Sequence, residues 1–540
     1  MKKWWQGGVI YQIYPRSFQD SNNNGIGDLR GITNRLEYVS KLGVDGIWIS
    51  PIFTSPMKDM GYDVADYRDI DPLFGTLEDF DELVEKAHFL GLKVMIDQVL
   101  SHSSDQHPFF EKSRQDRNND KADWYVWANP LPSGSPPNNW LSIFEGIAWE
   151  WESSRKQYYQ HNFLISQPDF NFHNSEVRDW LLENVRFWLK RGVDGFRLDT
   201  VNYYFYDQLL RDNPQRKGVK ENPPENPYYT QDHIYSISQP ENVNFVEDLR
   251  TLLDEFGETA MIGEISNIDL MAEYTAGNNR LHLAYSFELL GPIFSAQHIR
   301  KTIEHFFSIA PDGIPCWSFS NHDVIRHVSR WASHGSTPEA LAKQTAALLL
   351  SLEGSICLFQ GEELGQLETE MELHELTDPL GKRFWPKMKG RDGCRTPMTW
   401  NIDKPNGGFS VTEPWLPVKQ PQLNRAVDEQ EKDPDSVLSF YRKMLKFRQH
   451  SNLLREGKMS FYNTEEPVLS FAREYKGTII VCLFNLSQQE AVIEINGLKI
   501  AEDNLSQKAA IGTNKIKLGA NGFAFLESDS EKEIGIKYPD

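Results

Sequence analysis

Cysteine is scarce in this chain: Cys316, Cys357, Cys394 and Cys482 are four residues among 540, and none is spaced from another as metal ligands are. That excludes a disulfide framework and a zinc ribbon, and it leads us to expect reduced, buried thiols in a cytoplasmic setting. Basic residues are also short, with 56 Lys and Arg against 77 Asp and Glu and a formal net charge of -21. A phosphate backbone or an anionic membrane surface calls for a basic stripe, so neither nucleic acid nor membrane is an expected partner. Long hydrophobic runs are missing as well: the longest, from Ala346 towards Phe359, is broken by Glu353 and is too short to cross a bilayer. The opening residues, Met1-Lys2-Lys3-Trp4-Trp5-Gln6, carry two lysines but no apolar segment, so no export signal is expected. With no low-complexity tract, 39% hydrophobic and 25% charged residues describe a folded protein of two or three domains.

What is present is a repeated local pattern. Val177, Trp180, Leu181, Val185, Trp188 and Leu189 fall on one helical face, and Gly192 stands where a helix end needs a left-handed residue. Gly195-Phe196-Arg197-Leu198-Asp199 then reads as a short buried strand that ends in a guanidinium and a carboxylate two residues apart, hence on one face. The same order of helix, glycine and strand recurs at 41–49 and at 89–97. Repeated αβ units imply a parallel sheet.

Strand-like runs in this context occur at 9–13, 46–52, 93–99, 195–199, 261–265, 282–287, 316–319 and 356–360. Eight such units make a (β/α)8 barrel of the TIM type the expected architecture, with the active site at the C-terminal ends of the strands. The segment 101–170, rich in Trp, Tyr, Pro and Asn, is too long for a connection and is expected to be an inserted domain after the third strand. The barrel should then comprise 1–100 and 171–455, and residues 456–540, with alternating strands at 468–474, 478–484, 490–495 and 522–526, should form a C-terminal antiparallel β-sandwich.

Asp97, Asp199, Glu264 and Asp323 are then expected at the ends of the third, fourth, fifth and seventh strands, on one rim. A single acidic residue there ordinarily caps a helix or faces water. Four together raise one another's pKa and persist only with compensating groups, for which Arg197, His102 and His322 are at hand. Two carboxylates of unequal pKa flanking one bond are what glycoside hydrolysis requires. Tyr62, Phe144, Phe163, Tyr203, Tyr204 and Phe205 lie near the same rim, where aromatic faces stack on sugar rings, although core packing also accounts for many of them.

The chain resembles the α-amylase family of glycoside hydrolases, within it the α-glucosidase and oligo-1,6-glucosidase branch. The resemblance runs from about Val9 to Trp400 and is carried by Gly46-Ile47-Trp48-Ile49-Ser50-Pro51, Gly61-Tyr62-Asp63-Val64, 97–102, Gln167-Pro168-Asp169-Phe170-Asn171, 195–199, Gly263-Glu264, Asn321-His322-Asp323 and Gly390-Arg391-Asp392. It implies Asp199 as nucleophile, Glu264 as general acid/base and Asp323 as the carboxylate that holds the sugar hydroxyls. It also implies Arg197 as the group that orients Asp199, and His102 and His322 as hydrogen-bonding partners of the same glucose. Asp59, Tyr62 and Arg395 match residues that close the pocket at the non-reducing end, with Arg391 able to share that role. A closed end implies exo action. Thr200, the residue after the matched nucleophile, resembles relatives that act on α-1,4 bonds, so maltose and short maltooligosaccharides are the expected substrates. Transglucosylation, oligo-1,6-glucosidase action and sucrose-directed transfer use the same residues. A catalytically inactive relative that serves amino-acid transporters lacks part of the carboxylate set and carries a membrane helix, which disfavours that reading here.

Ser101 stands where the family commonly has Asn before the histidine, and 201–243, crowded with Asn, Pro and Tyr, is placed to cover the pocket. Asp20-Ser21-Asn22-Asn23-Asn24-Gly25-Ile26-Gly27-Asp28 resembles an EF-hand-like loop with oxygen ligands at alternate positions. Asp20, Asn22, Asn24, Asp28 and the Ile26 carbonyl are the candidate ligands of a structural Ca²⁺ or Mg²⁺. No cofactor is expected for catalysis, and the oligomeric state is not indicated.

Overall fold

The computed structural model describes residues 3–144, 146–219, 221–501, 505–528 and 535–537. Eight parallel strands form the central sheet: β1 (Val9–Ile13), β2 (Gly46–Ile49), β3 (Lys93–Gln98), β4 (Gly195–Leu198), β5 (Ala260–Glu264), β6 (Leu283–Tyr285), β7 (Cys316–Trp317) and β8 (Ser355–Phe359). Their order is β6-β5-β4-β3-β2-β1-β8-β7, and a parallel bridge between Ala284 and Pro315 joins the two ends, closing the (β/α)8 barrel. β1, β4, β5 and β8 are buried at every position, as parallel strands covered by helices must be.

The local pattern explains how each strand is aimed. In the helix Ser175–Lys190, Val177, Leu181, Val185, Trp188 and Leu189 are buried while Trp180 is half-buried, and the Asn174 side chain caps the first turn. Each large apolar side chain so buried contributes about 1.5–3 kcal/mol. Gly192, at φ +92°, turns the chain back into β4, and Gly43 and Gly91 do the same before β2 and β3. At Gly195 even a methyl group would come within 2.1 Å of the Ala260 carbonyl oxygen, so β4 and β5 approach more closely than any side chain allows.

The strands are shorter than the sequence suggests at their C-terminal ends. β2 stops at Ile49, and β7 has only Cys316 and Trp317, so Asp323 lies in the loop beyond β7 and not at its end. Residues 318–326 leave the sheet because their polar side chains bond locally, Ser318 to the Ser320 carbonyl and Asn321 to the Asp323 amide.

Between β3 and β4 the chain forms a three-stranded antiparallel sheet (Trp127–Ala128, Gln157–Gln160, Trp149–Glu152), seated at its base by bridges from His102 to Asp169 and from Tyr125 to Phe170. Beyond the barrel, eight strands make one connected antiparallel sheet in which Lys515–Ser528 pairs with Thr478–Asn485, Ala491–Asn496, Leu498–Ile500 and Gln507–Ile511. The strands Lys458–Phe461, Leu498–Ile500, Gln507–Ile511 and Gly535–Lys537 were not among those expected: each is only three to five residues long, too short for alternation to stand out even where Lys458–Phe461 and Leu498–Ile500 have it. Among the described residues no helix is long and apolar enough to cross a membrane.

Candidate active site

Arg197, fully buried in β4, is the hub of the C-terminal rim. Its Nη1 donates to Asp97 Oδ1 at 2.8 Å and to Asp199 Oδ1 at 2.8 Å, and its Nη2 donates to Glu264 Oε2 at 2.5 Å and to the Tyr285 hydroxyl at 2.8 Å. One guanidinium thus brings together carboxylates from β3, from the residue just beyond β4 and from β5. Sharing its two terminal nitrogens also brings the Asp199 and Glu264 carboxylates side by side.

Thr200 ties the same two carboxylates together a second time. Its amide donates to Glu264 Oε2 at 3.2 Å and its hydroxyl to Asp199 Oδ2 at 3.2 Å. To do so it adopts φ +40°, a strained conformation for a β-branched residue of the kind that clusters at functional sites. Ser101 Oγ lies 3.2 Å from the Thr200 hydroxyl and 2.9 Å from His102 Nδ1, while His102 Nε2 donates to the Tyr62 carbonyl at 3.0 Å. The carbonyl can only accept, so it places the proton of the neutral ring on Nε2 and leaves Nδ1 to accept from the serine. Burial, opposed only weakly by Asp199, lowers His102 to about 4 and keeps it neutral.

His322 is held between Gln12 Nε2, 2.7 Å from its Nδ1, and the Tyr62 hydroxyl, 2.5 Å from its Nε2, with the Tyr62 ring stacked on it at 5.5 Å. Tyr62 also donates to Asp97 Oδ2 at 3.1 Å. Asp323 receives Arg395 Nη2 at 2.9 Å and Arg391 Nη1 at 3.2 Å. Arg391 continues to Asp59 at 3.0 Å and to Asp378 at 2.8 Å. The structure therefore pairs Asp59 with Arg391, whereas Arg395 lies fully buried behind Asp323 with its Nε on the His322 carbonyl at 2.7 Å. Asp59, Asp323, Asp378, Arg391 and Arg395 thus form one connected set of ion pairs beside the rim.

The other side is aromatic. Phe163 packs against His102 at 5.0 Å, Tyr203 at 5.5 Å and Phe144 at 6.0 Å, and the Arg391 guanidinium lies 5.3 Å over Phe144. Segment 201–243 is fastened across this wall: Tyr203 meets the Tyr228 hydroxyl at 2.9 Å, Asn226 donates to the Ile143 carbonyl at 2.8 Å and Trp140 to the Arg211 carbonyl at 2.8 Å. Tyr204 and Phe205 both pack on Phe172.

The carboxylates are electrically unequal. Burial pushes Glu264 up to about 8, Arg197 opposing and Asp199 and Asp323 reinforcing it. Burial likewise lifts Asp97 to about 7 against Arg197, and Asp59 to about 6 against Arg391. For Asp323 burial is outweighed by the surrounding positive charge, and the carboxyl sits well below its usual range. Arg391, Arg395 and Arg197 supply that charge, since burial keeps His322 neutral. A protonated Glu264 facing carboxylates held by arginine is the asymmetry that acid-assisted cleavage of a glycosidic bond needs.

Residues 12–457 match the model of the alpha amylase catalytic domain. The chain belongs to the alpha-amylase family. A probable alpha-glucosidase of Rhizobium meliloti (strain 1021) is 53% identical over 503 residues, covering 92% of this chain and 91% of its own. An oligo-1,6-glucosidase of Heyndrickxia coagulans is 34% identical over 532 residues, covering 90% and 93%. Among solved structures, the alpha-glucosyl transfer enzyme XgtA superposes with a TM-score of 0.95 at 52% identity, covering 98% of this chain and 100% of that one. The trehalulose synthase MutB from Pseudomonas mesoacidophila MX-45 gives 0.88 at 30% identity, covering 98% and 100%.

In this alpha-amylase family enzyme, several site residues escaped the sequence reading. Tyr285 carries a signal in hindsight, because it closes a β6 whose neighbour β5 ends in Glu264. Asp378, before Pro379, reads as the cap of the short helix Pro379–Phe384, but its pairing with Arg391 comes only through the fold. The loop 20–28 is a nest of local turns. Asp20 accepts from the amides of Asn22 (3.0 Å), Asn23 (2.7 Å) and Gly25 (2.9 Å) and from Ser410 Oγ (2.6 Å). Asn22 and Asn24 accept from the Asn24 and Ile26 amides at 3.1 and 2.8 Å, and Asp28 caps the helix Leu29–Leu42 through Gly31 at 2.7 Å. The oxygen-only set suits a hard cation. Asp20, however, already accepts four hydrogen bonds, so an ion there would have to displace one of these donors. Among the described residues no group of three or more His, Cys, Asp or Glu is placed to hold a metal.

Proposed function

We propose that this chain is a retaining, exo-acting α-glucosidase that removes terminal α-1,4-linked glucose from maltose and short oligosaccharides, with transglucosylation as a second outcome. The observation that supports the reading is the shared guanidinium of Arg197, which holds Asp199 and Glu264 together near the Asp59–Arg391 pair. Glu264 donates its proton to the glycosidic oxygen as Asp199 attacks the anomeric carbon, giving a β-glucosyl ester. Glu264 then takes a proton from water, which releases glucose. This double displacement suits carboxylates about 5–5.5 Å apart. Asp323, held by Arg391 and Arg395, receives the sugar hydroxyls with His102 and His322, and the Asp59–Arg391 pair stops a longer chain from threading through. Thr200 beside the nucleophile supports the α-1,4 preference by family analogy. The likeness to XgtA supports transfer.

Glucose release from maltose, isomaltose, sucrose, trehalose and maltotriose tests the substrate class, and product analysis at high maltose separates glucose alone from new oligosaccharides. Fastest action on isomaltose would overturn the linkage assignment. The raised Glu264 gives a second test. Cleavage needs its proton, so kcat/KM for maltose should fall as pH rises through about 8. With α-glucosyl fluoride, whose leaving group needs no proton, that limb should disappear; its persistence would remove Glu264 from the acid role.

We also propose that the loop 20–28 holds Ca²⁺ or Mg²⁺ loosely, with only Asp20 and Asp28 charged in the ligand set. EDTA should then lower the unfolding midpoint by about 1–2 °C at millimolar ion. An unchanged midpoint would mean that the hydrogen-bonded turn needs no ion. All four cysteines are free and buried, which supports a reducing, cytoplasmic location.

A further inference from the structure

Four buried polar atoms behind the catalytic rim have no hydrogen-bond partner: Oη of Tyr14, Nε and Nη1 of Arg16, and Nη1 of Arg395. Tyr14 is 1% exposed, Arg16 9% and Arg395 0%. The three side chains are stacked neighbours. The Arg395 guanidinium lies 5.4 Å over the Tyr14 ring, Trp415 lies 6.2 Å from that ring, and the Arg16 guanidinium sits 4.7 Å over Trp415. Phe359 and Cys394 pack beside Tyr14.

The charge balance of this group is incomplete. Arg395 has Asp323 at 2.9 Å as a counter-ion. Arg16 has no carboxylate within ion-pair distance among the described residues. Asp71 and Asp392 attract it from further away, but Asp71 already accepts from the amides of Ser55 and Leu73, and Asp392 from Thr377 and the Asp378 amide. Three of the four unpartnered atoms can only donate, and the phenol can donate too. Such a set lacks an acceptor. Water would satisfy the geometry but leave a buried guanidinium uncompensated, whereas a small anion meets both demands.

We propose that Tyr14, Arg16 and Arg395 enclose a binding site for a small monovalent anion of the halide class. The anion neutralises Arg16 and reaches the substrate side through Arg395, whose other nitrogen holds Asp323, and through Tyr14, which stacks on His322 at 5.8 Å.

Bromide is the probe. Crystals of the full chain grown in sodium bromide should show an anomalous peak within hydrogen-bonding reach of Arg16 Nε and Tyr14 Oη. In solution the unfolding midpoint should rise by about 2 °C in bromide over gluconate at equal ionic strength. That rise should vanish in Arg16→Gln and shrink in Tyr14→Phe, which removes a single hydroxyl and serves if Arg16→Gln does not fold. An ordered water without anomalous signal at this position overturns the proposal, as does a bromide effect equal in the wild type and both variants.

Discussion

Asp199→Asn should lower kcat for maltose by on the order of 10⁴-fold or more while leaving the unfolding midpoint within a few degrees of the parent. The expectation follows from what the substitution keeps. Asn has the same shape, and its Oδ1 can still accept from Arg197, which now stands 2.8 Å from Asp199 Oδ1. What it loses is the anionic oxygen that must form the glucosyl ester. Glu264→Gln should be comparably severe with maltose, because its amide cannot give up a proton to the leaving oxygen. The two variants differ with α-glucosyl fluoride: Glu264→Gln should still form the ester and accumulate it, since nothing remains to deprotonate water, and Asp199→Asn should not. Mass spectrometry of the quenched protein reads the difference. Near-normal turnover in either variant would sink the assignment.

Arg197→Met should be the most damaging single change to the fold at the rim. Removing one partner of a buried ion pair typically costs about 3–5 kcal/mol, and here one guanidinium serves Asp97, Asp199 and Glu264 at once. The loss should depend on pH with a definite sign. Glu264 at about 8 and Asp97 at about 7 are raised in the folded state, so their contribution to stability is complete below the ordinary carboxylate range and fades as pH climbs through those values. Without Arg197 the folded carboxyls bind protons more tightly still. The midpoint gap between parent and variant should therefore be smallest near pH 5 and widen towards pH 8. A gap that stayed constant, or narrowed with rising pH, would mean that these carboxylates do not depend on Arg197 for compensation.

Much of this site was legible before any coordinates. Arg197 and Asp199 sit two apart on a strand whose preceding helix and glycine are unmistakable, and Gly263-Glu264 closes an equally apolar run. Asp323 was placed on the right rim but on a strand too long, since β7 ends at Trp317 and the polar sequence Ser318-Phe319-Ser320-Asn321 bonds to itself. Thr200 was read as a neighbour of the nucleophile. Only the structure shows its strained backbone holding both carboxylates. Arg395 was matched to the pocket-closing arginine, with Arg391 able to share the role, and the structure divides the two: Arg391 meets Asp59 and Asp323, while Arg395, among the described residues, meets Asp323 alone.

The sequence by itself determined the barrel and the side of it on which chemistry occurs. Strand polarity is set by the order of helix, glycine and strand, and every parallel strand then delivers its last residues to the same rim. Tertiary structure alone decided which charges became partners. Asp59 and Arg391 are 332 positions apart, and Tyr14, Arg16 and Arg395 meet across the whole catalytic domain. No periodicity records such contacts, because they depend on how irregular loops pack and on which buried charge finds a counter-ion within a few ångströms.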